Sequence, residues 1–153
     1  VEFRRITDFE DVRRILTSRD TYYALGDDFL DPPEEFQVNE HPDIWYVGAH
    51  NSAGIIGLFS LMPENRICWQ VHVVMLPWAT TREKWEAARE LPGWLAKNTE
   101  CKRLTAAVPS TNWPALIYGT HGIGLQYVGR QAKAFMKGGH LQDLILLGLS
   151  IGE

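Results

Sequence analysis

The sequence predicts an α/β protein of the α+β kind, with a mixed, mostly antiparallel central sheet flanked by helices. Two observations carry this. Three β-rich runs between Asp43 and Leu76 (IWYVGAH, IIGLFSL and RICWQVHVVML) are joined by NSAG and PEN, links that suit antiparallel neighbours. A long helical stretch then separates the third run from RLTAAVP, so this later strand is expected to lie parallel to the one before it. The 153 residues suit one domain, spanning 1–153, with no repeat or linker.

Taken in order, EFRRI reads as a short strand. TDFEDVRRIL follows as a helix capped by Thr7 or Asp8, with Phe9, Val12, Ile15 and Leu16 on one face. GDDFLDPPEEF holds a prolyl pair and five acids and is expected to be a loop or a short helical turn. After the three antiparallel runs, TTREKWEAARELPGWLAKN opens on a capping box, Thr80 with Glu83, and Trp85, Ala88 and Leu91 share a face. Pro92 is expected to kink or split that helix. STNWPALIYGT reads as a short helix capped by Ser110, Thr111 or Asn112, and LQYVGRQAKAF with LQDLILLGLSI as a closing strand pair joined near KGGH.

Composition excludes several function classes. Hydrophobic residues make up 45% and charged residues 22%, which describes a globular chain. A net charge of -4, with Arg4, Arg5, Arg13, Arg14 and Arg19 scattered among acids and apolar positions, disfavours nucleic-acid binding. No apolar run reaches membrane-spanning length and the start VEFRRITD lacks signal-peptide grammar, so no membrane role and a cytoplasmic address are expected. Cys68 and Cys101 form no C-x-x-C pair, so they are expected to be reduced and packed, with no metal site.

GTHGIG, Gly119 to Gly124, has the glycine spacing of a phosphate loop. Such a loop needs a strand before it and a helix after it, and here the order is reversed. The segment therefore reads as a helix stop, with Gly122 as the left-handed cap and Gly124 easing the turn into LQYVG.

The order strand, helix, loop, three antiparallel strands, helix, strand, short helix and two strands resembles the GNAT superfamily of acyl-coenzyme A dependent N-acetyltransferases. VPSTNWPALIYGTHGI supplies Asn112, Ala115, Tyr118, Gly122 and Ile123 in the manner of that family's C-terminal half. The tail, with Gly129, Gly138, Asp143 and LILLGL, is similar to its phage-encoded branch. Two departures stand out. Tyr118 follows Asn112 by one residue fewer than the commoner spacing, and the segment at the family's glycine-rich pyrophosphate loop, LPWATTREKWEAARE, has no glycine.

The resemblance implies acetyl-coenzyme A as cosubstrate and an amine as acceptor. It points to the backbone of Val74, Met75 and Leu76 for the pantetheine arm, to Asn112 beside it, and to Tyr118 as proton donor to the departing thiolate. Asn112 is equally a helix cap, and Tyr118 equally a packed helix residue. At the coenzyme loop, Thr80, Thr81 and Arg82 offer free amides and a cation, while Glu83 occupies one donor and repels an anion. His72, with a pKa near neutrality, is the candidate base, or else a hydrogen-bonded strand histidine. His41, His50, His121 and His140 have no partners at ligand spacing, and the tryptophans read as packing.

Asp27, Asp28, Asp31, Glu34 and Glu35 occupy the stretch that covers the acceptor side in this family, where carboxylates favour a cationic amine, although such a run is more often a solvated loop. Two functions remain: an acetyltransferase working by direct attack, or a GNAT-like fold without catalysis that serves as a phage accessory or binding protein. A homodimer is left open, and the sequence does not name the acceptor.

Overall fold

The computed structural model describes residues 1–152. Seven strands form one sheet: β1 (Glu2–Arg5), β2 (Trp45–Asn51), β3 (Gly54–Pro63), β4 (Cys68–Met75), β5 (Arg103–Pro109), β6 (Gln126–Lys137) and β7 (His140–Ser150). Their spatial order is β1-β2-β3-β4-β5-β7-β6. Every neighbouring pair is antiparallel except β4 with β5, which is parallel, as the intervening helix requires.

Helix α1 (Phe9–Leu16) starts at Asp8, whose carboxylate accepts from the Glu10 amide at 3.0 Å. Its Val12 and Ile15 are buried against Tyr46, Leu58 and Val74 on one face of the sheet. A single helical turn, α2 (Tyr22–Leu25), precedes the acidic stretch, which itself is a loop holding one 3-10 turn at Pro33–Glu35, in line with the expected loop or short helical turn.

Helix α3 (Thr81–Asn98) covers the opposite face. Ala87, Ala88, Leu91 and Leu95 are inaccessible to solvent and meet Phe59, Leu61, Trp69 and Val71. The helix runs through Pro92 as one element, so of the expected kink or split the split does not occur. An interior proline costs roughly 3 kcal/mol locally. Complete burial of Leu91 and Leu95, on either side of it, contributes about 1.5–3 kcal/mol each and holds the helix together.

The short α4 (Trp113–Ile117) continues into a π-helical turn over Tyr118–Ile123. The left-handed residue that ends it is Gly124, φ 93°, and not Gly122 as the sequence suggests. Gly122 serves packing instead: a Cβ there would lie 2.9 Å from both the Ala88 methyl and the Trp85 ring. Its lack of a side chain lets the π turn press onto α3, and this contact orients Tyr118. Among the described residues no helix is long and apolar enough to cross a membrane.

Candidate active site

The parallel pair β4–β5 is short. Its registered partners are Cys68 with Arg103, Trp69 with Leu104, and Gln70 with Thr105, after which the two strands part. Val71–Met75 and Ala106–Pro109 thus line a gap that passes through the sheet near its centre.

Which amides face the gap follows from hydrogen-bond alternation. The Leu76 amide donates to Ile56 at 2.9 Å and the Cys68 carbonyl accepts from Glu64, so even-numbered residues of β4 bond to β3. Odd-numbered residues turn toward β5. Of the expected trio, Met75 faces the gap, whereas Leu76, and by the same alternation Val74, give their amides to β3. Val73, which sequence reasoning missed, joins Met75. On the far side Ala107 does the same, because the even residues of β5 pair with β7, as the Ile151 amide to the Lys102 carbonyl shows.

Side chains alternate too. Trp69 and Val71 point to the α3 face, while Cys68, Gln70 and His72 share the α1 face with Val74. His72 therefore stands just past the last β4–β5 pair, at the mouth of the gap, beside buried Ser60 on β3. Its Nε2 lies 3.2 Å from Oε1 of Gln70, and in the tautomer that donates to this oxygen Nδ1 keeps the free lone pair. Water reaches the ring, yet surrounding protein desolvates it and holds its pKa below the usual histidine value of 6.5. The neutral, proton-accepting form is thus the resting one at pH 7.

Tyr118 lies on the other face. Its hydroxyl donates to the Lys84 carbonyl at 3.0 Å, and its ring packs on Trp85 with centroids 5.8 Å apart. Burial holds the phenol well above the usual tyrosine range, so it carries its proton at every working pH. The geometry gives Tyr118 both packing and a hydrogen-bonding tip at the start of α3. The two candidates for proton transfer therefore lie on opposite faces of the sheet.

Asn112 caps α4, its Oδ1 accepting from the Ala115 amide at 3.3 Å. This accounts for the oxygen and leaves the amide nitrogen. At the start of α3 the capping box is complete: Glu83 accepts from the Thr80 amide at 2.9 Å and the Thr80 hydroxyl from the Glu83 amide at 3.1 Å. Asn51 holds the second Glu83 oxygen at 2.8 Å. Those hydrogen bonds, the Thr80 backbone first, hold the Glu83 carboxyl below its usual range. Thr81 and Arg82, both exposed, keep the first two helical amides for an anion.

The acidic stretch divides by role. Asp28 accepts from the amides of Gly138 and Gly139 at 2.7 and 2.8 Å, and Asp27 caps its own turn through the Phe29 amide. Asp31, Glu34 and Glu35 remain exposed. Cys101 is fully buried and its thiol is pushed up to about 11 by that burial. Cys68 is also raised, by burial and by Glu64 beside it, so neither is a ready nucleophile. Among the described residues no group of three His, Cys, Asp or Glu could hold a metal ion. Two clefts of about 470 and 420 Å³ lie around Trp45, Trp69 and Glu100 at the opposite end of β4.

No family profile and no curated protein matches the sequence. Solved structures do match in fold. The spermidine N-acetyltransferase of Vibrio cholerae, in complex with CoA and spermine, superposes with a TM-score of 0.74 at 12% identity, covering 98% of this chain and 95% of that one. A GNAT superfamily phosphinothricin acetyltransferase from Sinorhizobium meliloti, in complex with AcCoA, gives 0.71 at 16%, covering 99% and 89%. The chain has the GNAT fold. Ribosomal-protein-alanine N-acetyltransferase from Brucella melitensis has it too, with a TM-score of 0.70 at 15% identity and coverage of 99% and 100%. In this chain β4 and β5 part beyond Gln70 and Thr105, with His72 next along β4, while Tyr118 lies on the α3 side of the sheet against Lys84 and Trp85.

A pH dependence follows for His72. Because its folded pKa is depressed, kcat at saturating amine should fall on the acid side with an apparent pKa below 6.5. The stability that the neutral ring contributes is present above 6.5 and is lost as pH falls through the folded value. His72→Gln should abolish that acid limb, as a kcat–pH profile would read directly.

Proposed function

We propose that this chain is an acetyl-coenzyme A dependent N-acetyltransferase that acts on a cationic amine by direct attack. The single observation that carries the reading is the opening between β4 and β5, where Val73, Met75 and Ala107 present backbone groups with no strand partner. Unpartnered amides at the centre of a sheet need a ligand or water, and an extended thioester arm supplies carbonyls that fit them.

Acetyl-coenzyme A supplies an activated acetyl group: the acceptor nitrogen, having given its extra proton to solvent, bonds through its lone pair to the thioester carbon, the carbon–sulfur bond breaks, and the thiolate takes a proton. On the α1 face, Nδ1 of His72 takes the proton the amine loses, directly or through one water. On the α3 face, the Tyr118 hydroxyl exchanges its bond to the Lys84 carbonyl for one to sulfur, and supplies the proton as charge develops there. The Thr81 and Arg82 amides, the Thr80 hydroxyl proton and the Asn112 amide nitrogen hold the coenzyme's phosphates and arm, the Thr80 amide being held by Glu83. Both thiols are raised and the His72 ring is bonded to Gln70 and not to its neighbour Ser60, which agrees with direct transfer.

Asp27, Asp31, Glu34 and Glu35 beside the α1 face favour an acceptor that carries a positive charge. A donor made inside the cell suits a cytoplasmic address. The tail around Gly129, Gly138 and Asp143 is the ground for a phage-encoded origin. The test is a panel of polyamines, lysine peptides and free N-terminal peptides with acetyl-coenzyme A, scored by thiol release. Turnover of a cationic member supports the reading. Binding of coenzyme with no turnover of any amine would instead favour a GNAT-fold binding protein.

A further inference from the structure

The segment between α1 and β2 leaves the end of α1, reaches the β6–β7 hairpin tip, and returns to α1. At its return, Arg13 of α1 donates to the carbonyls of Pro33 at 2.8 Å and Phe36 at 3.2 Å. Its far end is fixed differently. Both Asp28 oxygens accept from the Gly138 and Gly139 amides, the Asp28 amide donates to the Met136 carbonyl at 3.0 Å, and Lys137 Nζ donates to the carbonyls of Tyr23 and Ala24 at 3.2 and 2.6 Å.

Two anchors and the strand order decide what lies beneath. Helix α1 packs over β3 and β4, and the hairpin tip belongs to β7 and β6, on the far side of β5. A segment tied to both must bridge the ends of β4 and β5 where they part. The hairpin overhangs that end, because β5 stops at Pro109, opposite Leu144, while β7 continues back to His140. The tip is shaped for its carboxylate: Gly138 and Gly139 have φ of 60° and 76°, so successive amides converge on one anion.

We propose that Asp28 and Lys137 are positioning residues that latch this strap across the acceptor mouth and so set the affinity for the amine. The proposal rests on the acetyltransferase reading for its substrate. The latch itself does not. With Asp28 in place, the exposed Asp27, Asp31, Glu34 and Glu35 are held over the side from which the amine approaches His72. Without it, the strap keeps only its α1 anchor, and those charges no longer act at a fixed place.

The experiment compares wild type with Asp28→Ala, Asp28→Asn and Lys137→Met, using the best amine of the panel and amide hydrogen exchange on the unliganded chain. Asp28→Ala should raise KM for the amine about tenfold, the equivalent of one to two lost hydrogen bonds. Its coenzyme Kd should stay put, and kcat at saturating amine should change far less than KM. Exchange should quicken at Gly138 and Gly139 and across 26–36. Asp28→Asn, which keeps one acceptor oxygen, should fall between, and Lys137→Met should show the same KM–kcat split. Faster exchange with an unchanged amine KM would overturn the positioning role, and unchanged exchange would overturn the latch. A wild-type chain that acetylates no amine would sink the acetyltransferase reading, and the exchange rates would then decide the latch by themselves.

Discussion

Replacing Tyr118 with phenylalanine should lower kcat by roughly 10²–10³-fold, within the usual range for loss of one general acid. Coenzyme affinity should hardly move. The ring would keep its place, since Trp85 stacks on it and the π turn pinned by Gly122 fixes its backbone. What is lost is one hydroxyl, hydrogen-bonded at rest to the Lys84 carbonyl, at a stability cost of about 1 kcal/mol. The size of the rate effect comes from where the hydroxyl acts. Burial makes this phenol a weak acid, so its value lies in a hydrogen bond that strengthens as sulfur gains charge. Single-turnover rates against coenzyme Kd would separate the two effects. A Tyr118→Phe enzyme with full kcat would reduce Tyr118 to a packing residue.

The second large effect is expected at the start of α3. Thr81→Pro removes one of the two free helical amides at a position where helices accept proline, and Arg82→Glu places a carboxylate beside the other. Together they should weaken coenzyme binding about 10- to 100-fold with the helix intact, as titration calorimetry would show. That range corresponds to one lost charge-assisted hydrogen bond and one reversed charge near a helix terminus. Glu83 already lies there, locked by Thr80 and Asn51. Its carboxylate is turned into the capping box, which is how a loop without glycine still leaves Thr81 and Arg82 free. A doubly substituted protein with wild-type affinity would remove this helix start from the coenzyme site.

Much of the fold was legible because local signals agreed with one another. Short turns forced β2, β3 and β4 to be antiparallel, and the capping box marked the first turn of α3 to the residue. The failures are where tertiary packing overrode a local rule. Pro92 sits in an unbroken helix because Leu91 and Leu95 are buried around it, and Gly122 is needed for closeness to Trp85, not for a left-handed turn. The site was legible in outline only. His72 and Tyr118 were identifiable as residue types, but nothing in one-dimensional order says that they lie on opposite faces of the sheet. Val74 and Leu76 differ from Met75 in parity, turning their amides toward β3. A signal existed: side-chain face and amide direction alternate together along a strand, so the apolar Trp69 and Val71, set against Cys68, Gln70 and His72, separated odd from even positions. The role of Asp28 had no such signal, since its partners are 110 and 111 residues away.

The central claim is that the gap between β4 and β5 receives the thioester arm, and amide-resolved NMR titration with coenzyme A tests it most directly. The account predicts the largest amide shifts at Val73, Met75 and Ala107, with Thr81 and Arg82 following and with Val74 and Leu76, bonded to β3, moving less. Shifts confined to the cleft around Trp45 and Trp69, or none at saturating coenzyme, would contradict it.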